Sequence, residues 1–151
     1  MSNVLEEQVL TGKKPFLGIC LGLQLLAQKS TESPGRDGFG WLEGDVMRIE
    51  PAEPSLKVPQ VGWNHTFVDS PHPLFEGIDE SARNFYFVHS YHIVPVDSSM
   101  VIGWCDYGGR VVAALGWDNI VATQFHPEKS HEQGIQFLRN FMTWSEGAQP
   151  S

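Results

Sequence analysis

Basic residues are the first thing this sequence has little of. Lys and Arg total 10 against 18 Asp and Glu in 151 residues, a formal charge of −8, and the densest basic spot is Lys13-Lys14. General binding to nucleic acid or to an anionic membrane is excluded, because both need clustered cations. Cysteine is scarce as well: Cys20 and Cys105 cannot build the disulfide framework of a small secreted domain. Long apolar runs are missing. The longest, Pro15 to Ala27, is broken by Gly and Gln, whereas a bilayer span needs about 20 apolar residues. The opening Met-Ser-Asn-Val-Leu-Glu-Glu has neither the basic nor the apolar region of a signal peptide. Together these absences predict a cytoplasmic protein with reduced thiols, no membrane segment and no nucleic-acid partner.

What is present is enough apolar material for a real core: 41% hydrophobic and 19% charged residues argue against disorder, and the length fits a single domain over residues 1–151. Val4 to Leu10 reads as a short helix closed by Gly12, and Pro15 to Ile19 as a buried strand. Leu21 to Lys29 takes helical spacing, Thr31 to Gly40 is a loop, and Pro51 to Pro59 is a Pro-rich surface loop. Short strand-type runs follow at Asp45–Ile49, Thr66–Val68, Phe85–Val88, Met100–Trp104, Val111–Leu115 and Ile120–Gln124. The last element, Ser130 to Trp144, is a helix that Ser130 and Gln133 would start as a capping box, with Phe137, Phe141 and Trp144 on one face. Strand-helix at each end with strands between predicts an α/β fold: a mixed, mainly parallel sheet flanked by helices, with an inserted antiparallel section.

Gly18-Ile-Cys20-Leu-Gly22 falls where a strand stops and a helix starts, the context in which a G-x-nucleophile-x-G elbow exposes a reactive side chain. The glycines permit a tight turn, the helix N-terminus favours thiolate at Cys20, and the Leu21 N–H is free to donate to an oxyanion. A small buried Cys in a Gly-rich turn explains the segment equally well. A nucleophile needs a base, and Gln124-Phe-His126-Pro-Glu128-Lys-Ser130 supplies the most suggestive histidine. It follows an apolar strand, and Pro127 restricts the backbone so that Glu128 can hold the imidazole. His89 and His92, three residues apart without a third ligand, do not make a zinc site, and no metal is expected.

Gly18-Ile-Cys20-Leu-Gly22-Leu-Gln24 with Phe125-His126-Pro-Glu128-Lys-Ser130 about a hundred residues later resembles the class I glutamine amidotransferases. Within that family, Lys57-Val-Pro-Gln-Val-Gly62-Trp63-Asn64 and Tyr86-Phe-Val-His89-Ser90-Tyr91 are similar to the glutaminase subunits of imidazole glycerol phosphate synthase in histidine biosynthesis. The similarity runs from about Gly12 to Trp144. It implies a triad of Cys20, His126 and Glu128 that hydrolyses glutamine to glutamate and ammonia without a cofactor. It also implies a glutamine pocket using Gln24, Ser90, Tyr91 and Glu32, and docking of a cyclase subunit through Gly62, Trp63 and Asn64. Ammonia would pass to that partner, which makes imidazole glycerol phosphate and AICAR.

The sequence departs from the resemblance in two places. Gln60-Val61 stands where the family commonly has His-Met. No Pro-Gly-x-Gly loop, the family's second oxyanion donor, precedes Cys20; the first strand and helix are expected to be absent and the domain N-terminally shortened. Two other readings follow: a binding subunit without turnover, or the glutaminase of another synthase serving anthranilate or GMP formation.

Overall fold

The computed structural model describes residues 2–148. It opens with α1 (Ser2–Glu6), continued by a wider helical turn over Glu7–Thr11 that Gly12 closes. Next come β1 (Phe16–Ile19), α2 (Leu21–Gln24), β2 (Lys29–Ser30) and β3 (Gly44–Arg48). β4 (Gln60–His65), β5 (Asn84–His89), β6 (Tyr91–Pro95) and β7 (Val101–Asp106) follow. β8 (Arg110–Trp117), β9 (Ile120–Thr123) and the long α3 (His131–Ala148) complete the order.

The main sheet has the order β1-β9-β8-β7; β2-β3-β6 forms a second sheet and β4-β5 a third. The α/β class with mixed pairing is as the sequence predicts, but the balance differs: β1–β9 and β2–β3 pair parallel, while β3–β6, β4–β5, β7–β8 and β8–β9 pair antiparallel. Short connections decide the β7–β8 and β8–β9 pairs, because a two- or three-residue turn can only join antiparallel neighbours, whereas β3–β6 and β4–β5 pair across long stretches of chain. Asp118-Asn119 links β8 to β9, with Asp118 at φ 49°, the left-handed geometry of tight hairpins.

β8 and β9 are buried on both faces, which is why Val-Val-Ala-Ala-Leu and Ile-Val-Ala read as unbroken apolar runs. On one side Val111 and Val121 pack with Phe85, Phe87, Phe125 and with Phe137 of α3. On the other, Val112, Ile120 and Ala122 pack with Val9, Leu23, Leu26, Val46 and Ile93. Layers on both faces of the sheet hold its strand ends in place, and those ends carry the site.

Local departures have local causes. The helix predicted over Leu21–Lys29 stops after Gln24: Leu26 and Ala27 donate three residues back, to Leu23 and Gln24, and Gln28 donates to Gly44 in β3. The chain is thus drawn into sheet pairing before a second helical turn forms. Thr66–Val68 is reduced to one bridge, Phe67 with Trp104. β4 and β6 lie outside the predicted strands, their apolar alternation diluted by Gln60, Gly62, Asn64 and His92.

Candidate active site

Cys20 sits alone between the end of β1 and the start of α2, with φ 53° and ψ −100°. A non-glycine residue there is strained by about 1–3 kcal/mol, and only its surroundings can enforce it. The Cys20 N–H donates to the Thr123 carbonyl at 2.7 Å, and its own carbonyl accepts from Leu23 and Gln24 at 3.1 and 3.2 Å. Gly18 must lack a side chain, since a Cβ would lie 2.8 Å from the Gly22 carbonyl carbon and oxygen. Gly22 contributes only its backbone to that approach; a Cβ on it would meet nothing.

The thiol is half-buried, and burial is the largest influence on it, pushing its pKa above the usual value. The Leu21 N–H and the Gln124 side chain pull the other way, Glu128 adds to the rise, and Lys129 opposes it. Stabilisation of thiolate by the helix N-terminus, expected from the sequence, is therefore not the ruling effect. A helix of four residues has little dipole to offer against desolvation.

The parallel register that pairs Ile19 with Thr123 brings Cys20 beside Gln124, whose Nε2 donates to Sγ at 3.5 Å. His126 follows two residues later, at the same end of the sheet. Its Nδ1 lies 2.6 Å from Glu128 Oε1. A carboxylate only accepts, so Nδ1 carries the proton and Nε2 is left as the basic nitrogen. Among the described residues the thiol's side-chain partner is Gln124; no hydrogen bond joins it directly to the His126 ring.

Backbone and hydroxyl contacts fasten the His126 loop. The His126 N–H donates to Tyr86 O at 2.9 Å. The buried Ser130 hydroxyl donates to His126 O at 2.6 Å and accepts from the Tyr86 N–H at 3.0 Å. The predicted capping box is thus replaced by a brace. Ser130 ties the loop to β5, and Gln133 reaches Asn84 O at 2.6 Å instead of the helix start.

Of the predicted pocket residues, Gln24 and Tyr91 meet: Gln24 Nε2 donates to Tyr91 O at 2.9 Å and to Gln124 Oε1 at 3.2 Å. Ser90, between β5 and β6, accepts from the Ile49 N–H at 2.9 Å. Glu32 is exposed in the loop after β2, where its N–H bonds Ser30 Oγ at 3.2 Å; no contact among the described residues ties it to the Cys20 cluster. Gln124 is the residue that sequence reading passed over. Its sequence signal is a lone amide closing an otherwise apolar run, and the structure buries that residue fully.

The Trp63 strand presents a different surface. Trp63 is 45% exposed and stacks on His131 at 4.8 Å and 8° while meeting Tyr86 edge-on at 5.8 Å, so it is not a core residue. Gly62 takes φ 126° with open space around it, so backbone conformation, not crowding, calls for glycine there. The side-chain amides of Asn64 and Gln60 hydrogen-bond each other at 3.1 Å. Val61 and Val88 add exposed apolar surface beside Trp63.

The family model described as glutamine amidotransferase class-I matches residues 2–144. The chain belongs to the class-I glutamine amidotransferase family. Among curated relatives of this amidotransferase, the imidazole glycerol phosphate synthase subunit HisH of Cereibacter sphaeroides is 46% identical over 144 residues, 95% of this chain and 68% of the relative. HisH of Brucella melitensis biotype 1 is also 46% identical, over 146 residues with the same coverage. The crystal structure of a glutamine amidotransferase from Thermotoga maritima aligns with TM-score 0.59 at 18% identity, over 99% of this chain and 56% of that one. That likeness speaks to the fold. The amidotransferase chain therefore spans about two-thirds of its HisH relatives' length and just over half of the solved chain.

Proposed function

We propose that this chain is the glutaminase subunit of an imidazole glycerol phosphate synthase, acting in the cytoplasm as a single amidotransferase domain. The observation that supports it most is the strained Cys20 turn set beside the His126–Glu128 pair, in a chain 46% identical to HisH. In the proposed reaction Cys20 Sγ attacks the side-chain carboxamide carbon of glutamine, and the thiol proton passes to His126 Nε2. The Leu21 N–H donates to the oxyanion that forms. Collapse of the adduct breaks the C–N bond, His126 returns its proton to the nitrogen, and ammonia leaves a glutamyl thioester. Water deprotonated by His126 then attacks the thioester, releasing glutamate and restoring the thiol. Glu128 holds the ring in one tautomer and stabilises its charged form.

Gln24 and the Ser90-Tyr91 backbone would bind the substrate's amino-acid end, with Glu32 reaching them only through movement of its exposed loop. Gly62, Trp63 and Asn64 would dock the cyclase subunit. A stacked, half-exposed Trp flanked by Val61 and Val88 has the make-up of an interface anchor. Delivery of ammonia through a partner is physically sensible because free ammonia is protonated in water.

Ammonia release from glutamine, measured with the cyclase subunit present, tests the reading. Wild type should turn over, Cys20→Ala should not, and the variant should still bind its partner. One observation favours a second reading, a binding subunit without turnover: burial holds the Cys20 thiol above its ordinary pKa. Partner binding with no ammonia from wild type, and no glutamine-dependent protection of Cys20, would select it.

A further inference from the structure

His89 closes β5 opposite Gln60 of β4, and both side chains are buried, at 7% and 0% exposure. The ring is held at both nitrogens: Nδ1 lies 2.8 Å from Tyr91 O, and Nε2 lies 2.8 Å from Gln60 Oε1. Beyond the ring, Gln60 Nε2 reaches Asn64 Oδ1 at 3.1 Å and Cys105 Sγ at 3.6 Å. In the other direction, the Tyr91 carbonyl that meets His89 also accepts from Gln24 Nε2 at 2.9 Å. Gln24 in turn meets Gln124 at 3.2 Å, and Gln124 meets Cys20 Sγ at 3.5 Å. An unbroken run of hydrogen bonds therefore leads from Asn64, beside the exposed Trp63, to the thiol.

Proton positions in this run follow from elementary rules. A carbonyl only accepts, so His89 Nδ1 carries a proton. Burial lowers the pKa of the ring to about 4, so at neutral pH it is uncharged and Nε2 bears a lone pair. The two amides are then satisfied when both turn over, Gln60 donating to His89 and accepting from Asn64 and from the Cys105 thiol. In either amide orientation the bond from Nδ1–H to Tyr91 O is the same. A buried His–Gln pair is a costly way to fill space that an apolar residue would fill more cheaply. What it adds is a second donor on the backbone carbonyl that Gln24 meets at 2.9 Å.

We propose that His89 is a positioning residue of the glutaminase centre: its Nδ1–H fixes the Tyr91 carbonyl that aims Gln24, and Gln60 holds the ring from the strand bearing Trp63 and Asn64. The assignment rests on the glutaminase reading above.

The test compares His89→Leu with His89→Asn, whose side-chain N–H2 takes the place of Nδ1–H, each in complex with the cyclase subunit and each checked for folding by circular dichroism. His89→Leu should raise KM for glutamine about tenfold, the worth of one oriented hydrogen bond, with kcat changed less. The glutamine concentration that half-protects Cys20 from iodoacetamide should rise by the same factor. His89→Asn should restore both to within about threefold of wild type. Equal shifts in the two variants, or a fall in kcat at constant KM, would overturn the proposal by showing a merely structural role. Failure of wild type to release ammonia or be protected by glutamine would instead sink the glutaminase reading. A ¹⁵N spectrum of the wild-type imidazole decides the arrangement in that case too. A neutral ring protonated at Nδ1 at pH 7 is expected; a proton on Nε2 alone, or a cation, refutes it.

Discussion

Cys20 and Cys105 each lie against the side-chain amide of a fully buried glutamine, Gln124 at 3.5 Å and Gln60 at 3.6 Å, yet they are different thiols. Cys105 stands one residue before the end of β7, fully buried, and burial pushes its pKa up to about 11. Cys20 is only half-buried, on a turn with positive φ, beside the Leu21 N–H and at the end of β1, next to the end of β9 that leads to His126 and Glu128. The immediate partner of the sulfur is thus not what separates them. Backbone strain, the Leu21 N–H at the helix start and a nearby base do, and each comes from where the strand ends.

The sharpest way to break this comparison is turnover. Cys20→Ala should reduce ammonia release by at least about 10⁴-fold, whereas Cys105→Ala should leave kcat and KM as they are; equal losses would erase the distinction. Stability against pH comes next. The folded Cys105 thiol keeps its proton up to about pH 11 while the unfolded one loses it near 9.0. Between those values the unfolded chain binds fewer protons, so stability is complete below pH 9 and falls by about 3 kcal/mol as pH rises. Urea unfolding at pH 8 and pH 11 should show that loss, and Cys105→Ala should flatten it.

Histidine 89 gives the mirror image. With its pKa lowered to about 4, the unfolded state binds the extra proton, so stability present above pH 6.5 should be lost by about 3 kcal/mol as pH falls through 4. Urea titration of wild type against the folded His89→Asn variant, which cannot titrate there, checks it. Gly18→Ala should cost about 1–3 kcal/mol, because its Cβ would overlap the Gly22 backbone. The smallest effect is expected at the other glycine of the elbow: Gly22→Ala should stay within about 1 kcal/mol, and a larger loss would show that the turn needs both glycines for room.

The elements that read correctly from sequence are those whose signal is local. Val111–Leu115 and Ile120–Gln124 are apolar runs because their strands are covered on both faces, Pro15–Ile19 forms the partly buried edge strand beside them, and α3 shows its buried stripe through Phe137. β4 is hidden because its buried position is polar, Gln60 meeting His89 of β5 across the strands, and β6 because only Ile93 in it is buried, beside the polar His92. The predominance of antiparallel pairs was not legible, since pairing joins residues far apart in the chain. The spacing of Ser130 to Gln133 predicts a helix cap; the structure turns its hydroxyl to Tyr86, 44 residues away.

The amino-acid sequence by itself determined the parts of this protein that depend on neighbours along the chain. These are the Gly18-x-Cys20-x-Gly22 turn between strand and helix, the His126-Pro-Glu128 geometry that Pro127 restricts, and the absence of clustered cations. Tertiary structure alone decided that Gln124 lies on the Cys20 thiol, that burial overrides the helix end in setting that thiol's acidity, and that His89 joins Gln60 to the carbonyl holding Gln24. Those relations depend on strand register and desolvation, which arise only when residues distant in sequence are packed together and water is excluded between them.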